Sequence, residues 1–276
     1  MTDVNISTAP IQPVGGIAPV KPAKRSYSRI YGRNEVLDGD YKLYQKVIAE
    51  FIGTALFVFG VTASAVTFGG TVAILAGSFM GGVIIYLFGR VSGAHFNPAV
   101  SLCLFIREKL LCQELGLYVV AQIFGGALGS VLLAIIRRGR FKELAGNCIQ
   151  YYLITTDRTS TSKNAWCYIS ALISEIIGTF ILLMFILASC ERDNYLGPLL
   201  GLAFASVLIS LNTIGGNISS CSLNPARSFA PAVIQAIAGG DKDPIKQIWI
   251  YIIGPILGAV IAAFVWPFFF YPHHSI

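Results

Sequence analysis

Ser92-Gly93-Ala94-His95-Phe96-Asn97-Pro98-Ala99-Val100 and Ser220-Cys221-Ser222-Leu223-Asn224-Pro225-Ala226-Arg227-Ser228 are two versions of one phrase, each centred on Asn-Pro-Ala. Asn ahead of Pro is a helix-start signal, because the Asn side chain caps orphan backbone N–H groups and Pro tolerates the first helical position. Both starts lie in strongly apolar sequence, where buried polar groups are costly. Two such caps make sense there if both are held inside a membrane for a purpose.

Outward from the two boxes, the sequence reads as a membrane protein. Of 276 residues, 55% are hydrophobic and only 12% are charged, about half the charged share usual in a soluble domain. Six segments supply the apolar length of about 20 residues that a spanning helix needs: roughly 45–66, 71–91, 115–136, 167–189, 198–216 and 247–270. One box follows the second segment and the other follows the fifth. The runs after them, Val100 to Ile106 and Ser228 to Ile234, are too short to span. They read as half-helices that enter the bilayer and stop, their irregular backbone sheltered by protein.

The halves repeat. Ala49-Glu50-Phe51-Ile52-Gly53-Thr54 opens the first span, and Ser174-Glu175-Ile176-Ile177-Gly178-Thr179 lies within the fourth, at nearly the spacing that separates the boxes. Three spans per half is an odd number, so the second copy is inverted relative to the first. Inversion brings the half-helices in from opposite faces and lets their N-termini meet near the midplane. The expected fold class is therefore an all-α membrane protein of six transmembrane helices plus two re-entrant half-helices. Its repeats cover about 45–136 and 167–270, joined by an extracellular loop at 137–166.

Outside this unit, residues 1–44 read as a largely disordered cytoplasmic arm, broken by Pro10, Pro13, Pro19 and Pro22, and 271–276 as a short cytoplasmic tail. No apolar leader occupies residues 1–40, so the first span is expected to act as its own insertion signal. The net charge of +6 is spread along arm and loops, which suits lipid headgroups and not nucleic acid. Basic residues slightly favour the N-terminal side, which is taken as cytoplasmic; the cluster Arg137 to Lys142 then faces outside. The six cysteines form no C-x-x-C pair, so no metal is expected. Cys148 and Cys167 could pair if both face an oxidising exterior. No nucleophile–base constellation and no cofactor loop is present, so neither enzyme activity nor a cofactor is expected.

On the paired Asn-Pro-Ala boxes, the duplicated Glu-x-x-Gly-Thr and the Arg after the second box, the chain from about 45 to 270 resembles the aquaporins of the major intrinsic protein family. The resemblance implies a homotetrameric water channel. It makes Asn97, Pro98, Ala99, Asn224, Pro225 and Ala226 the pore boxes, Arg227 the filter arginine, and Cys221 a filter position whose backbone lines the pore. Glu50, Glu175 and His95 are implied to brace the re-entrant loops. By spacing alone, Gly77 and Asn212 take the two remaining filter positions, where a water-selective channel commonly has Phe and His. A filter so built is wide and lacks an aromatic wall. Asn224-Pro225-Ala226-Arg227-Ser228 and Ala232 follow the water-channel pattern instead, and water is the main expectation. A broader channel for glycerol, urea, ammonia or peroxide is the alternative.

The physics of the boxes points the same way. A half-helix carries about +0.5 charge at its N-terminus, so two tips together present roughly one positive charge. At about 4 Å and an effective dielectric near 20 this repels a monovalent cation by about 4 kcal/mol, about a thousandfold in occupancy. A neutral dipole meets no comparable barrier. Other readings stay open on the sequence: a secondary transporter, which also uses inverted repeats, or a closed family member kept for a structural role. The arm, or the loop 190–198 with Tyr195 as a possible gate, could plug one mouth. Glu50 and Glu175 could relay protons, Arg227 could snorkel to a headgroup, and the Cys221 thiol could be either pore-facing and mercurial-sensitive or packed and inert.

Overall fold

Long apolar stretches without interior charge form helices here because a bilayer leaves backbone polar groups no other partner. The computed structural model describes residues 41–150, 165–191 and 196–270; the readings of the arm, of Tyr195 and of the tail lie outside the described residues. In chain order the helices are α1 (Leu43–Thr67), α2 (Gly70–Ser92), α3 (Pro98–Ile106), α4 (Cys112–Ile136), α5 (Ala165–Glu191), α6 (Leu200–Ser219), α7 (Pro225–Ile237), α8 (Asp243–Lys246) and α9 (Ile248–Phe270), with a 3₁₀ turn at Gly197–Leu199 before α6. Six of them, α1, α2, α4, α5, α6 and α9, are long and apolar enough to cross a membrane. α3 has 9 residues and α7 has 13. At about 1.5 Å per residue both fall well short of a hydrocarbon core of about 30 Å. The fold is the six-span, two-half-span inverted repeat.

Glycines set how close the spans lie. A Cβ on Gly125 would meet the Phe51 carbonyl oxygen and one on Gly129 the Ala55 carbonyl oxygen, so α4 packs backbone to backbone on α1. α9 repeats this on α5, where a Cβ on Gly258 would lie 2.6 Å from the Ile176 carbonyl oxygen. Small residues four apart are the means by which membrane helices approach closely without a hydrophobic driving force. The halves join through α2 and α6, where Gly82 and Gly201 each face the other's carbonyl oxygen. Large apolar side chains are left outside in stripes of period four, such as Ile169, Ile173, Ile177 and Ile181, all at least 43% exposed. That outward face suits lipid.

The duplicated Glu-x-x-Gly-Thr acquires a reason for each member. Gly53 leaves room for the Phe96 ring, and Gly178 for the Leu223 side chain. Thr54 and Thr179 lie over Gly125 and Gly258 at the two tight crossings. Glu50 and Glu175 are 0% exposed and reach the re-entrant loops.

The crossing geometry predicts that Gly125→Ala lowers the apparent Tm of purified protein in detergent by about 4 °C or more, since overpacking costs about 1–3 kcal/mol. Gly116→Ala, on the same helix with nothing near its Cβ, should leave Tm unchanged or raise it slightly. Thermal unfolding of the two variants side by side checks this.

Candidate functional site: two half-helix tips and the cavities beside them

Each half-helix begins as its sequence demands. Asn97 is extended (φ −156°) and its side chain accepts from Ala99 N, with Pro98 at the first helical position. Asn224 (φ −149°) accepts from Ala226 N and Arg227 N, with Pro225 next. With their Oδ1 atoms spent on caps, the two amides each donate to the opposite loop. Asn97 Nδ2 donates to the Leu223 carbonyl at 2.8 Å, and Asn224 Nδ2 to the Phe96 carbonyl at 2.8 Å. The tips are thereby bonded to each other, and each amide retains a second N–H.

The loops that deliver the tips share one backbone path. Gly93, Ala94 and Phe96 are left-handed (φ 89°, 54° and 49°), as are Ser220, Cys221 and Leu223 (φ 61°, 43° and 57°). Non-glycine residues enter that region at a cost on the order of 1 kcal/mol or more each, and persist only where the surroundings hold them. The glutamates do the holding. Glu50 accepts from Ser92 Oγ (2.6 Å), His95 N (2.9 Å), Phe96 N (2.7 Å) and Gln122 Nε2 (2.8 Å). Glu175 accepts from Ser219 Oγ (2.7 Å), Ser222 N (2.9 Å) and Leu223 N (2.8 Å). Tyr118 and Tyr251 complete the match by donating to the Ser92 and Ser219 carbonyls, each at 2.8 Å. His95 Nδ1 lies 3.0 Å from Ser101 Oγ, and its ring packs edge-on to Tyr118.

Three adjoining cavities run past the tips. The first, of about 530 Å³, is lined by Gly77, Asn212, Cys221 and Arg227 together with Asn147 and others. All four filter positions inferred from motif and spacing thus share one cavity wall. Asn212 Nδ2 donates to the Leu208 carbonyl of its own helix at 2.8 Å, which leaves Oδ1 as its group for the cavity. Cys221 is 4% exposed and its thiol donates to the Leu211 carbonyl at 3.2 Å. All six cysteines are thiols, Cys148 and Cys167 included.

The second cavity, about 30 Å³, lies at the tips and is lined by Asn97, Asn224 and His95 against Phe57, Ile85 and Leu208. The third, about 40 Å³, is apolar and is walled by Leu104, Phe185, Leu200 and Phe204. Each of these two has room for two or three waters. Phe204 and Ile85 line both.

Sequence reasoning missed several members of the site. Gln122, Tyr118 and Tyr251 brace the loops from helix interiors, and Asn147 reaches Arg227 from the segment after α4. A buried Gln and two Tyr in apolar spans were a legible signal. Asn147 carried none, because nothing in sequence relates a loop residue to one 80 positions later.

Two half-helices bonded tip to tip inside six spans, beside a file of cavities, define a membrane channel built as an inverted repeat. The chain belongs to the major intrinsic protein family, whose family model matches residues 39–266. It is 34% identical to aquaporin NIP1-1 of Zea mays over 79% of this chain and 72% of that one. It is 35% identical to aquaporin AqpM of Methanothermobacter marburgensis, over 80% of this chain and 95% of the relative. To the glycerol uptake facilitator protein-like 6 of Lactiplantibacillus plantarum it is 32% identical, over 80% and 95%. The fold is also that of the Plasmodium falciparum aquaglyceroporin (TM-score 0.67, 22% identity, 82% of this chain and 96% of that one).

The bracing predicts a loss in Glu175→Gln. An amide nitrogen would oppose the N–H of Leu223 or Ser222, at a cost of about 1–3 kcal/mol for the stranded donor. Osmotic permeability of liposomes carrying equal amounts of protein should fall about tenfold or more, read by stopped-flow light scattering; unchanged permeability would remove the glutamate from the machinery.

Proposed function

We propose that the protein is a passive channel for water and small neutral solutes, with hydroxylated solutes such as glycerol among them, and that it excludes ions and protons. The observation that carries the breadth of this reading is the wide cavity at Gly77 and Asn212. Glycine contributes no side chain there and Asn212 is short and polar, so neither of these two positions puts an aromatic ring opposite Arg227. Arg227 offers hydrogen-bond donors and Asn212 Oδ1 an acceptor, which together match a hydroxyl that both donates and accepts. Past the filter, the amides of Asn97 and Asn224 face an apolar wall that includes Ile85, Phe204 and Leu208. A slim solute with C–H on one side and O–H on the other suits that file. The relative named as a glycerol uptake facilitator protein supports the broader reading over a water-only one.

In this reading the Asn97 and Asn224 amides orient passing oxygens and interrupt a proton wire. Arg227 and the paired helix tips repel cations. Glu50, Glu175 and His95 are braces and not relays, because both carboxylates spend both oxygens on loop and side-chain donors. That leaves neither of these carboxylates to serve a coupling ion. We place the arm and tail on the cytoplasmic side, the Arg227 cavity on the extracellular side, and the channel unit at 45–270 in a homotetramer, with the tetramer carried by family likeness.

The test is water and glycerol flux measured side by side in liposomes. Wild-type protein should speed both osmotic shrinkage and glycerol re-swelling. Asn212→His should cut glycerol flux about tenfold while changing water flux less than about twofold, as added bulk in a filter discriminates by 1–3 kcal/mol. Wild-type protein that passes water and no glycerol would reduce the reading to a water channel.

A further inference from the structure

The two repeats match at loop after loop, but not at Arg227. The residue equivalent to Arg227 in the first half is Val100, which needs no polar partner. An arginine in an apolar setting does need one, and the wide cavity beside it gives the guanidinium lateral freedom. Neither Gly77 nor Asn212 places bulk that would confine it.

The partner comes from outside both re-entrant loops. Asn147 is 2% exposed. Its Oδ1 accepts from Arg227 Nη1 and from Ser228 Oγ (3.0 Å), and its Nδ2 donates to the Ser220 carbonyl at 3.2 Å. The segment that carries it is fastened to the second repeat on both sides. Leu144 N donates to Gln235 Oε1 at 3.0 Å, and Ile149 N to Gln247 Oε1 at 2.8 Å. Gln150 N donates to the Ile218 carbonyl at 3.0 Å and its Nε2 to Ser220 Oγ at 3.0 Å, while Ser220 Oγ donates to the Cys148 carbonyl at 2.6 Å. Ser220 stands in a left-handed conformation where the first repeat has Gly93, and its hydroxyl adds two of the ties that hold the segment.

We propose that Asn147 is a positioning residue for the filter: it fixes the Arg227 guanidinium against one wall of the cavity, and so sets the aperture through which solutes pass. An amide oxygen suits the task better than a carboxylate, because it accepts from the guanidinium without cancelling its charge. The proposal deepens the solute-channel reading and rests on it for the glycerol measurement only.

Wild type, Asn147→Ala, Asn147→Asp, Arg227→Ala and the double variant Asn147→Ala/Arg227→Ala are compared in liposomes at matched protein content. Loss of a hydrogen bond to a charged group should let the guanidinium swing into the cavity, so N147A should lower glycerol flux about fivefold and water flux by less. N147D keeps the acceptor and should restore glycerol flux, but its charge offsets that of Arg227 and should admit a monovalent-cation leak absent in wild type. In the R227A background, N147A should have no further effect on either flux, the non-additivity of a contacting pair. An equal drop in that background would make Asn147 merely structural and overturn the proposal, as would an unchanged flux ratio in N147A. If wild type passes water alone, the solute reading fails by itself. Asn147 is then judged on water flux and cation leak through the same cycle.

Discussion

Two carboxylates buried at zero exposure hold the pore-forming backbone in place. Each re-entrant loop must turn back in mid-membrane, and it does so through three left-handed residues, two of them non-glycine in one loop and all three in the other. Such a path is not stable alone. Glu50 and Glu175 accept the N–H groups that the turns expose, at distances of 2.7 to 2.9 Å. Taking a carboxylate out of water costs several kcal/mol, which hydrogen bonds to its oxygens must offset. The arrangement contributes conformational definition more than net stability.

That definition passes along the chain of contacts. The fixed loops aim the helix tips at each other, and the Asn97 and Asn224 amides bond across the gap. The glycines at the α1–α4 and α5–α9 crossings bring the spans close enough for Glu50 and Glu175 to reach the loops. A change at Gly125, some distance from the pore, therefore acts on the same structure as a change at Glu50.

The repeat symmetry fails beside the second tip. The braces are largely duplicated, Gln122 apart, while Val100 lines the narrow apolar cavity and Arg227 the wide one. The duplicated elements build a channel with fixed tips. The unduplicated ones, Arg227 with Asn147, Asn212 and Gly77, line the wide cavity beside the second tip.

The fold was legible because each of its signals is local. Spans of about 20 apolar residues, Asn-Pro at a helix start and a repeated Glu-x-x-Gly-Thr can all be read within a short window, and span ends fell within three residues of the helices. The boxes, the glutamates and Arg227 were legible for the same reason. That Gly77 and Asn212 share a cavity with Arg227 was inferred from spacing, which works where intervening helices keep their length. Gln122, Tyr118 and Tyr251 were missed although polar side chains in apolar spans were a signal, and Asn147 was missed because its partner lies 80 residues away on an unrelated segment. Sequence by itself determined the class of protein, since burying a polar helix cap in a bilayer admits few architectures. Only the tertiary structure decided what Arg227 is bonded to, since a hydrogen bond between a loop amide and a distant guanidinium leaves no trace in spacing or composition.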